Sequence, residues 1–179
     1  MFNIYNFIIA LYHLIRFIIN IIKNMDKVPI KPFSNFAKEW ALITAGTKEK
    51  FNSMTVAWGA MGTLWNKPVI QIFIRPCRYT FQFLEENDYF TVSFYEKKYK
   101  KALGIMGTKS GRDFDKPKLA KLTPKFLEHS VTFEEASKTY VCKKLYMNEM
   151  DRGKIPEAFL DKLYKDEPVH YIIFGEVVN

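Results

Sequence analysis

The sequence predicts a mainly β domain with short helices, arranged as an antiparallel barrel. Several short runs are rich in Val, Ile, Phe, Tyr and Thr and end at Gly, Asn or Pro, which is typical of strands. The helical segments between them are short and do not alternate regularly with the strands, which argues against a doubly wound sheet. Hydrophobic residues form 48% and aromatic residues 16% of the 179-residue chain, so one well-filled core is expected.

The predicted strands, in chain order, are 40–45, 54–58, 69–75, 89–95, 140–146 and 170–178. Short helices are predicted at 79–86, 96–103 and 156–165. In the first of these helices, Phe81, Phe83 and Leu84 form an inner face. The last begins near Pro156, a residue that suits the first turn of a helix.

Residues 1–24 differ from the rest of the chain because they contain no acidic residue and consist largely of Ile, Phe, Tyr, Leu and Asn. On a helix, the polar side chains of this extension form one stripe, a pattern found in helices that lie in a membrane interface: His13, Arg16, Asn20 and Lys23. A spanning helix is disfavoured by the arginine near its centre. Translation of AT-rich sequence upstream of a start at Met25 is the other interpretation. We therefore assign 1–24 to an apolar extension and 25–179 to the folded domain.

The charge balance indicates an anionic partner. Lys and Arg number 27 against 19 Asp and Glu, which gives a formal net charge of +8. The two cysteines, Cys77 and Cys142, lie far apart and favour a reduced, cytoplasmic protein, with peripheral membrane association only if the extension is genuine. With three histidines and no ligand spacing, no metal site is expected.

Several catalytic classes are excluded by missing motifs. No GxGxxG follows a strand, which removes support for a dinucleotide-binding α/β fold. Residues 107–111 (GTKSG) lack the glycine spacing of a nucleoside-triphosphate loop, and no nucleophile elbow occurs.

The strongest positive signal is at residues 69–80, VIQIFIRPCRYT. A strand ends at Arg75, proline interrupts the ladder, and a helix begins near residue 79. Two guanidiniums, from Arg75 and Arg78, and the hydroxyl of Thr80 would then surround a helix N-terminus, which is the chemistry of a phosphate cradle. The alternative is a solvated rim at the end of a strand.

Two other segments carry polar groups. In residues 51–58, the small polar side chains Asn52, Ser53 and Thr55 could contact a flat heterocycle while Met54 and Trp58 supply apolar surface. A hairpin strand with polar residues facing water is the alternative. The loop at 107–116 (GTKSGRDFDK) has the mixed charge that is most often found in a solvated loop.

Taken together, these segments resemble flavin reductase-like proteins of the flavoredoxin type across 25–179. The similarity is carried, in this order, by NSMTVAW (52–58), GTLWNKP (62–68), IRPCRYT (74–80), TKSGRDFDK (108–116) and HYIIFGEV (170–177). The resemblance implies an FMN-binding split barrel, a homodimer, and an oxidoreductase that passes electrons from NAD(P)H to flavin or another acceptor.

The resemblance also implies roles for individual residues. At the FMN phosphate it places Arg75, Arg78 and Thr80, with Cys77 and Tyr79 beside them. Along the ribityl chain and ring it places Asn52, Ser53, Met54 and Thr55. The loop of Lys109, Ser110 and Gly111 closes over the cofactor, and His170 approaches the ring or the nicotinamide. No protein acid or base is obligatory, because the cofactor carries the chemistry.

Two alternatives to a reductase stay open at this point. A flavoredoxin-like carrier would be reduced by a protein partner instead of by NAD(P)H. A cofactor-free basic barrel could bind nucleic acid through the lysines around Tyr99, which are Lys97, Lys98, Lys100 and Lys101. Because such a cluster is more typical of a solvated helix face, no nucleic-acid partner is expected.

Overall fold

The computed structural model describes residues 34–179 together with Tyr12 and Arg16. The extension predicted at 1–24 therefore lies outside the described residues, apart from these two. Both are helical and exposed, and the Arg16 guanidinium lies 5.6 Å from the centroid of the Tyr12 ring. Within the part of the chain that is described, no helix has the length and apolar character needed to cross a membrane.

Nine strands are described within residues 34–179, most of them near their predicted positions. They are β1 (Ala41–Gly46), β2 (Phe51–Val56), β3 (Gly59–Leu64), β4 (Lys67–Ile74), β5 (Tyr89–Phe94), β6 (Pro124–Phe126), β7 (Val131–Phe133), β8 (Lys138–Glu149) and β9 (Tyr171–Val177). The sequence did not predict β3, β6 or β7. Two glycines weaken the strand signal of β3, and β6 and β7 are each three residues long.

Short helices join the strands. They are a π-helix (Asn35–Glu39), α1 (Tyr79–Glu86), α2 (Lys100–Thr108), α3 (Lys116–Ala120), α4 (Glu157–Leu163) and the 3₁₀ turns Lys97–Tyr99 and Arg152–Lys154. The prediction for α1 is confirmed, and Phe81, Phe83 and Leu84 are buried. The helix predicted at 96–103 is displaced, because a 3₁₀ turn takes its first residues and α2 continues to Thr108.

Seven strands form one antiparallel sheet in the order β2-β1-β5-β8-β9-β4-β3. Non-consecutive neighbours lie side by side, so the chain crosses over between the two halves of the sheet. The sheet curls until β2 approaches β4, and the small β6-β7 hairpin packs against β1 and β5. The predicted fold class, a mainly β antiparallel split barrel with short helices, is confirmed.

Every residue of strand β1 is buried, and its side chains point alternately into two hydrophobic clusters, one on each face of the strand. Ile43 points into the larger cluster inside the barrel, where it packs with Ile72 and Ile173. Leu42 points the other way and packs with Leu103 of α2 in the smaller cluster. This alternation is that of a strand covered on both faces, and it places α2 beside β1 and β2.

Candidate functional site

The turn between β4 and α1 is the first part of the site. The Arg78 amide donates to the Arg75 carbonyl at 3.1 Å, and α1 begins at Tyr79 as the sequence predicted. The Asn52 amide of β2 donates to the Thr80 hydroxyl at 2.9 Å, and both side chains are buried. This hydrogen bond joins β2 to the first turn of α1, so the strand and the helix meet at a fixed place.

The other end of α1 is held by a side chain from β8. The ammonium group of Lys144 donates to the carbonyls of Leu84, Glu85 and Asn87 at 2.6, 3.2 and 3.0 Å. Carbonyls at the end of a helix have no partner within the helix, and a cation there also suits the helix dipole. The helix is therefore held at both ends, and its N-terminus faces the candidate site.

A cavity of about 140 Å³ opens at this N-terminus. We call it the cationic cavity, because the charged side chains in its lining are Arg78, Lys109, Arg112 and Lys116. No Asp or Glu lines it. The rest of the lining is Asn52, Met54, Cys77, Tyr79, Thr80, Met106, Gly107, Thr108, Ser110 and Gly111. Such a set of donors and positive charges attracts a compact anion.

Most of the predicted cofactor-binding residues meet at this cavity. They are Asn52, Met54, Cys77, Arg78, Tyr79, Thr80, Lys109, Ser110 and Gly111. They come from three separate segments, β2, the β4–α1 turn and the loop after α2, which antiparallel pairing and helix packing bring together. The sequence order of these segments said nothing about their distance in space.

The loop after α2 forms one wall of the cationic cavity. The Arg112 guanidinium lies 4.7 Å from the centroid of the Tyr79 ring, so a cation–π contact joins the loop to α1. Gly111 approaches β2 so closely that a Cβ built on it would lie 2.1 Å from Oδ1 of Asn52. A glycine at this position lets the loop lie directly against the Asn52 amide.

Lys116 is one of five lining residues that sequence reasoning did not place at the site; the others are Met106, Gly107, Thr108 and Arg112. Lys116 belongs to a loop that was interpreted as a solvated mixture of charges, yet the side chain is only 3% exposed. Nζ donates to the carbonyl of Ser53 and, at 3.0 Å, to the carbonyl of Met106. Nothing in the local sequence distinguishes it from the exposed Lys118, because its burial results from the packing of α3 against α2 and of α2 against β2.

A second cleft, of about 270 Å³, lies next to the cationic cavity and shares Met54 and Arg78 with it. We call it the aromatic cleft. Its lining includes Trp58, Phe73 and His170, together with Thr55, Val56, Ala57, Arg75 and Leu163. The Trp58 and His170 ring centroids are 4.8 Å apart. A flat apolar molecule would find aromatic faces here, and a charged one would find the two arginines.

His170 is held as a neutral imidazole in the aromatic cleft. Nδ1 lies 2.9 Å from the Tyr164 hydroxyl. Burial, and then the positive charges of Arg75 and Arg78, lower the pKa of His170 to about 4. The ring therefore carries no charge near neutral pH and can take part in hydrogen bonding without supplying a proton readily.

Three of the predicted residues do not line the cationic cavity. The Ser53 hydroxyl is buried against Thr44, 2.6 Å from its Oγ1. The Thr55 hydroxyl donates to the Leu103 carbonyl at 2.5 Å, although the residue lines the aromatic cleft. The Arg75 guanidinium also lies at the aromatic cleft, where it pairs with Glu167 at 3.1 Å and donates to the Leu163 carbonyl at 2.8 Å.

Two of the four lysines around Tyr99, Lys98 and Lys100, make contacts within the protein. The Lys100 ammonium caps the π-helix by donating to the carbonyls of Lys38 and Glu39, and it lies 3.1 Å from the centroid of a Trp40 ring. Lys98 pairs with Glu96 at 3.0 Å.

Among the described residues, no group of three or more His, Cys, Asp or Glu side chains could hold a metal ion.

Comparison with known families settles the classification. The flavin reductase-like domain family matches residues 33–179, which is most of the chain. The chain belongs to this family. The resemblance inferred from the five sequence motifs is thereby confirmed for the family as a whole. Among curated proteins, no match was found.

Solved structures of the same fold resemble this flavin reductase-like domain at low identity. Flavoredoxin from Methanosarcina acetivorans is 22% identical with a TM-score of 0.63, over 86% of this chain and 70% of that one. An FMN-binding protein from Thermus thermophilus with bound 1-cyclohex-2-enone is 22% identical, with a TM-score of 0.62 over 86% and 75%. The NADH:FAD oxidoreductase SgcE6 from Streptomyces globisporus C-1027, in complex with NAD and FAD fragments, is 19% identical, with a TM-score of 0.60 over 82% and 76%. At these identities the likeness establishes the fold.

Proposed function

We propose that the chain binds FMN, with the phosphate in the cationic cavity and the isoalloxazine toward the aromatic cleft. One observation carries this proposal: a cavity lined by four cationic side chains and no carboxylate opens beside an aromatic cleft, and Arg78 and Met54 line both. A molecule with an anionic end and a flat apolar end matches these two neighbouring spaces. FMN-binding and flavoredoxin proteins share the fold, which supports the choice of this cofactor.

The residues present fit this group. Arg78 and the Thr80 hydroxyl offer donors at the N-terminus of α1, an eight-residue helix whose dipole favours an anion. Met54 supplies a polarizable apolar surface between the two spaces. The Cys77 thiol is exposed beside the phosphate position, and Cys142 is buried in the core. Neither cysteine has an assigned role in this proposal.

We further propose that the chain is an oxidoreductase that passes electrons from NAD(P)H to flavin or another acceptor. Bound FMN would supply the hydride and electron chemistry. The Trp58 and His170 rings would offer stacking surface to a nicotinamide or acceptor, and neutral His170 would avoid adding charge there. A carrier reduced by a protein partner would use the same cofactor site, so the reductant distinguishes the two functions.

We also propose that the chain forms a homodimer through the outer face of the sheet. Tyr146 and Phe174 are cross-strand partners in β8 and β9, with ring centroids 6.1 Å apart, and Tyr146 is 43% exposed. Phe73 and Ile172 form the next pair on the same outer face and are partly exposed. A second copy would cover this apolar surface.

Light scattering of wild type and Phe174→Lys tests the proposed dimer, with Phe159→Lys on α4 as the control. A monomeric wild type contradicts the proposed dimer.

The function is tested by cofactor binding followed by anaerobic reduction. We expect purified protein to quench FMN fluorescence at a one-to-one ratio and bound FMN to bleach on addition of NADH or NADPH. Bleaching only with a reduced protein partner would favour the carrier. Failure to bind FMN in the presence of salt-sensitive nucleic-acid binding would overturn the proposal in favour of the basic-barrel alternative.

A further inference from the structure

Lys116 is a buried cation without a buried anion to balance it. Its Nζ contacts two carbonyl oxygens, those of Ser53 in β2 and Met106 in α2. No salt bridge to it is found within the described part of the chain. A protonated amine has three donors, and two of them are used by these carbonyls. Burying an unpaired charge is unfavourable, so a residue kept in this state points to a charge supplied from outside.

The position of this amine indicates where that charge would come from. Lys116 lines the cationic cavity, on the side formed by α2 and α3, and Arg78 lines it from the N-terminus of α1. We propose that Lys116 recognises the doubly charged form of a phosphate monoester in this cavity, and that ligand binding is coupled to uptake of a proton by this side chain. This inference rests on the proposed function, because FMN is the monoester that the adjoining cleft would accept.

The electrostatic surroundings make such coupling a direct consequence of the fold. Burial, and then the Arg78 charge, lower the pKa of Lys116 to about 8. The other charged or titratable groups around it are Cys77 and Tyr79 at the start of α1, Lys109 and Arg112 on the loop, and Asp113, Asp115 and Lys118 on its own segment. Asp115 caps α3 by accepting from the Lys118 amide at 3.1 Å, and it does not pair with Lys116. A dianion in the cavity would restore the charged form of Lys116.

The expected pH dependence of FMN binding follows from the lowered pKa of Lys116. A phosphate monoester is dianionic above about pH 7, because its second pKa is about 6. Below about pH 8 Lys116 is already protonated, so affinity for FMN is constant between these values. Above about pH 8 binding requires proton uptake, and affinity falls by up to ~10-fold per pH unit. Riboflavin has the same ring and no phosphate, so its affinity lacks this dependence.

A purely structural role for Lys116 makes different predictions. If the amine served only to join β2 to α2, loss of the charge would weaken FMN and riboflavin binding equally and at every pH. Lys116→Arg keeps the positive charge and does not titrate in this range, so it abolishes the pH dependence while retaining discrimination for the phosphate. Lys118 is an exposed lysine on the same helix, so Lys118→Arg is the matched control, and its affinities for FMN and riboflavin should resemble those of wild type.

The experiment measures dissociation constants of FMN and riboflavin with the full chain from about pH 7 to about pH 9.5, with proton uptake from calorimetry in two buffers. The proposal expects FMN affinity to fall ~10-fold by about pH 9, riboflavin affinity to stay level, and proton uptake on FMN binding only. Equal pH slopes for both ligands, or no proton uptake, overturn it even if Lys116→Arg does not fold. Absence of FMN binding at pH 7 would instead refute the proposed function.

Discussion

Replacing Gly111 by alanine tests the contact between the loop and β2 that forms the cationic cavity. The added Cβ would lie 2.1 Å from Oδ1 of Asn52 and 3.3 Å from Cδ1 of Tyr79, whereas ordinary contacts begin at 3.4 Å. The Asn52 side chain must move by roughly 1 Å, which is enough to break its 2.9 Å hydrogen bond to Thr80. Because both groups are buried, we expect the free energy of unfolding to fall by about 1–3 kcal/mol.

Urea unfolding of four proteins measures this effect as a double-mutant cycle: wild type, Gly111→Ala, Asn52→Ala and both together. Once Asn52 is truncated, the alanine at 111 keeps only the 3.3 Å contact with Cδ1 of Tyr79, so its further cost should be below about 0.5 kcal/mol. Gly104→Ala on α2 is the control, because its Cβ meets nothing within 4 Å. Equal costs of Gly111→Ala in the two backgrounds would refute the assignment of strain to this contact.

Four further outcomes are expected. Gly175→Ala should lower the free energy of unfolding by about 1–3 kcal/mol, since its Cβ would lie 2.5 Å from Cζ of buried Phe90; urea denaturation checks this, and an unchanged midpoint contradicts it. His170 should show no titration of its ring protons by NMR between about pH 5.5 and 7.5, because its pKa is near 4; an inflection near 6.5 would be inconsistent with burial. Since the unfolded chain binds that proton at higher pH, stability should also fall as pH drops from about 6.5 toward 4. Arg78→Gln should weaken FMN binding by about 1.5–3 kcal/mol in fluorescence titration. Lys101→Ala, on the exposed side of α2, is the control and should leave the affinity unchanged. Equal affinities of Arg78→Gln and wild type would argue against the phosphate position.

The elements that the sequence predicted well are those whose signal is local. The boundary between β4 and α1 is marked by Pro76 and by the change from alternating to helical spacing, and α1 occupies the predicted residues. Strand β3 lacked such a signal, because its glycines have low strand propensity and its order results from pairing with β4. Propensity measures a residue's own preference and does not include its partner strand.

The candidate site divides in the same way. Residue chemistry pointed to Arg75, Arg78 and Thr80 as groups suited to an anion, and the family resemblance added the loop at Lys109. The structure places Arg78, Thr80 and Lys109 around one cavity. The sequence did not reveal that the Ser53 hydroxyl turns away from the cavity toward Thr44. Alternation along β2 puts neighbouring side chains on opposite faces, and the face that meets the cavity depends on how β2 packs.

The strand and helix patterns were sufficient to predict an antiparallel barrel and the segments that carry donors, and the resemblance of five motifs to a known family predicted the family and the split barrel. The distances between those segments, the burial of Lys116 and the separation of Arg75 from the cationic cavity followed from packing alone. The physical reason is that local preferences act over a few residues, whereas charge, burial and pKa depend on every group within several ångströms, whichever segment supplies it. The chemistry of the side chains is known from the sequence, whereas their environment forms only when the sheet closes, α2 packs against the sheet and α3 packs against α2.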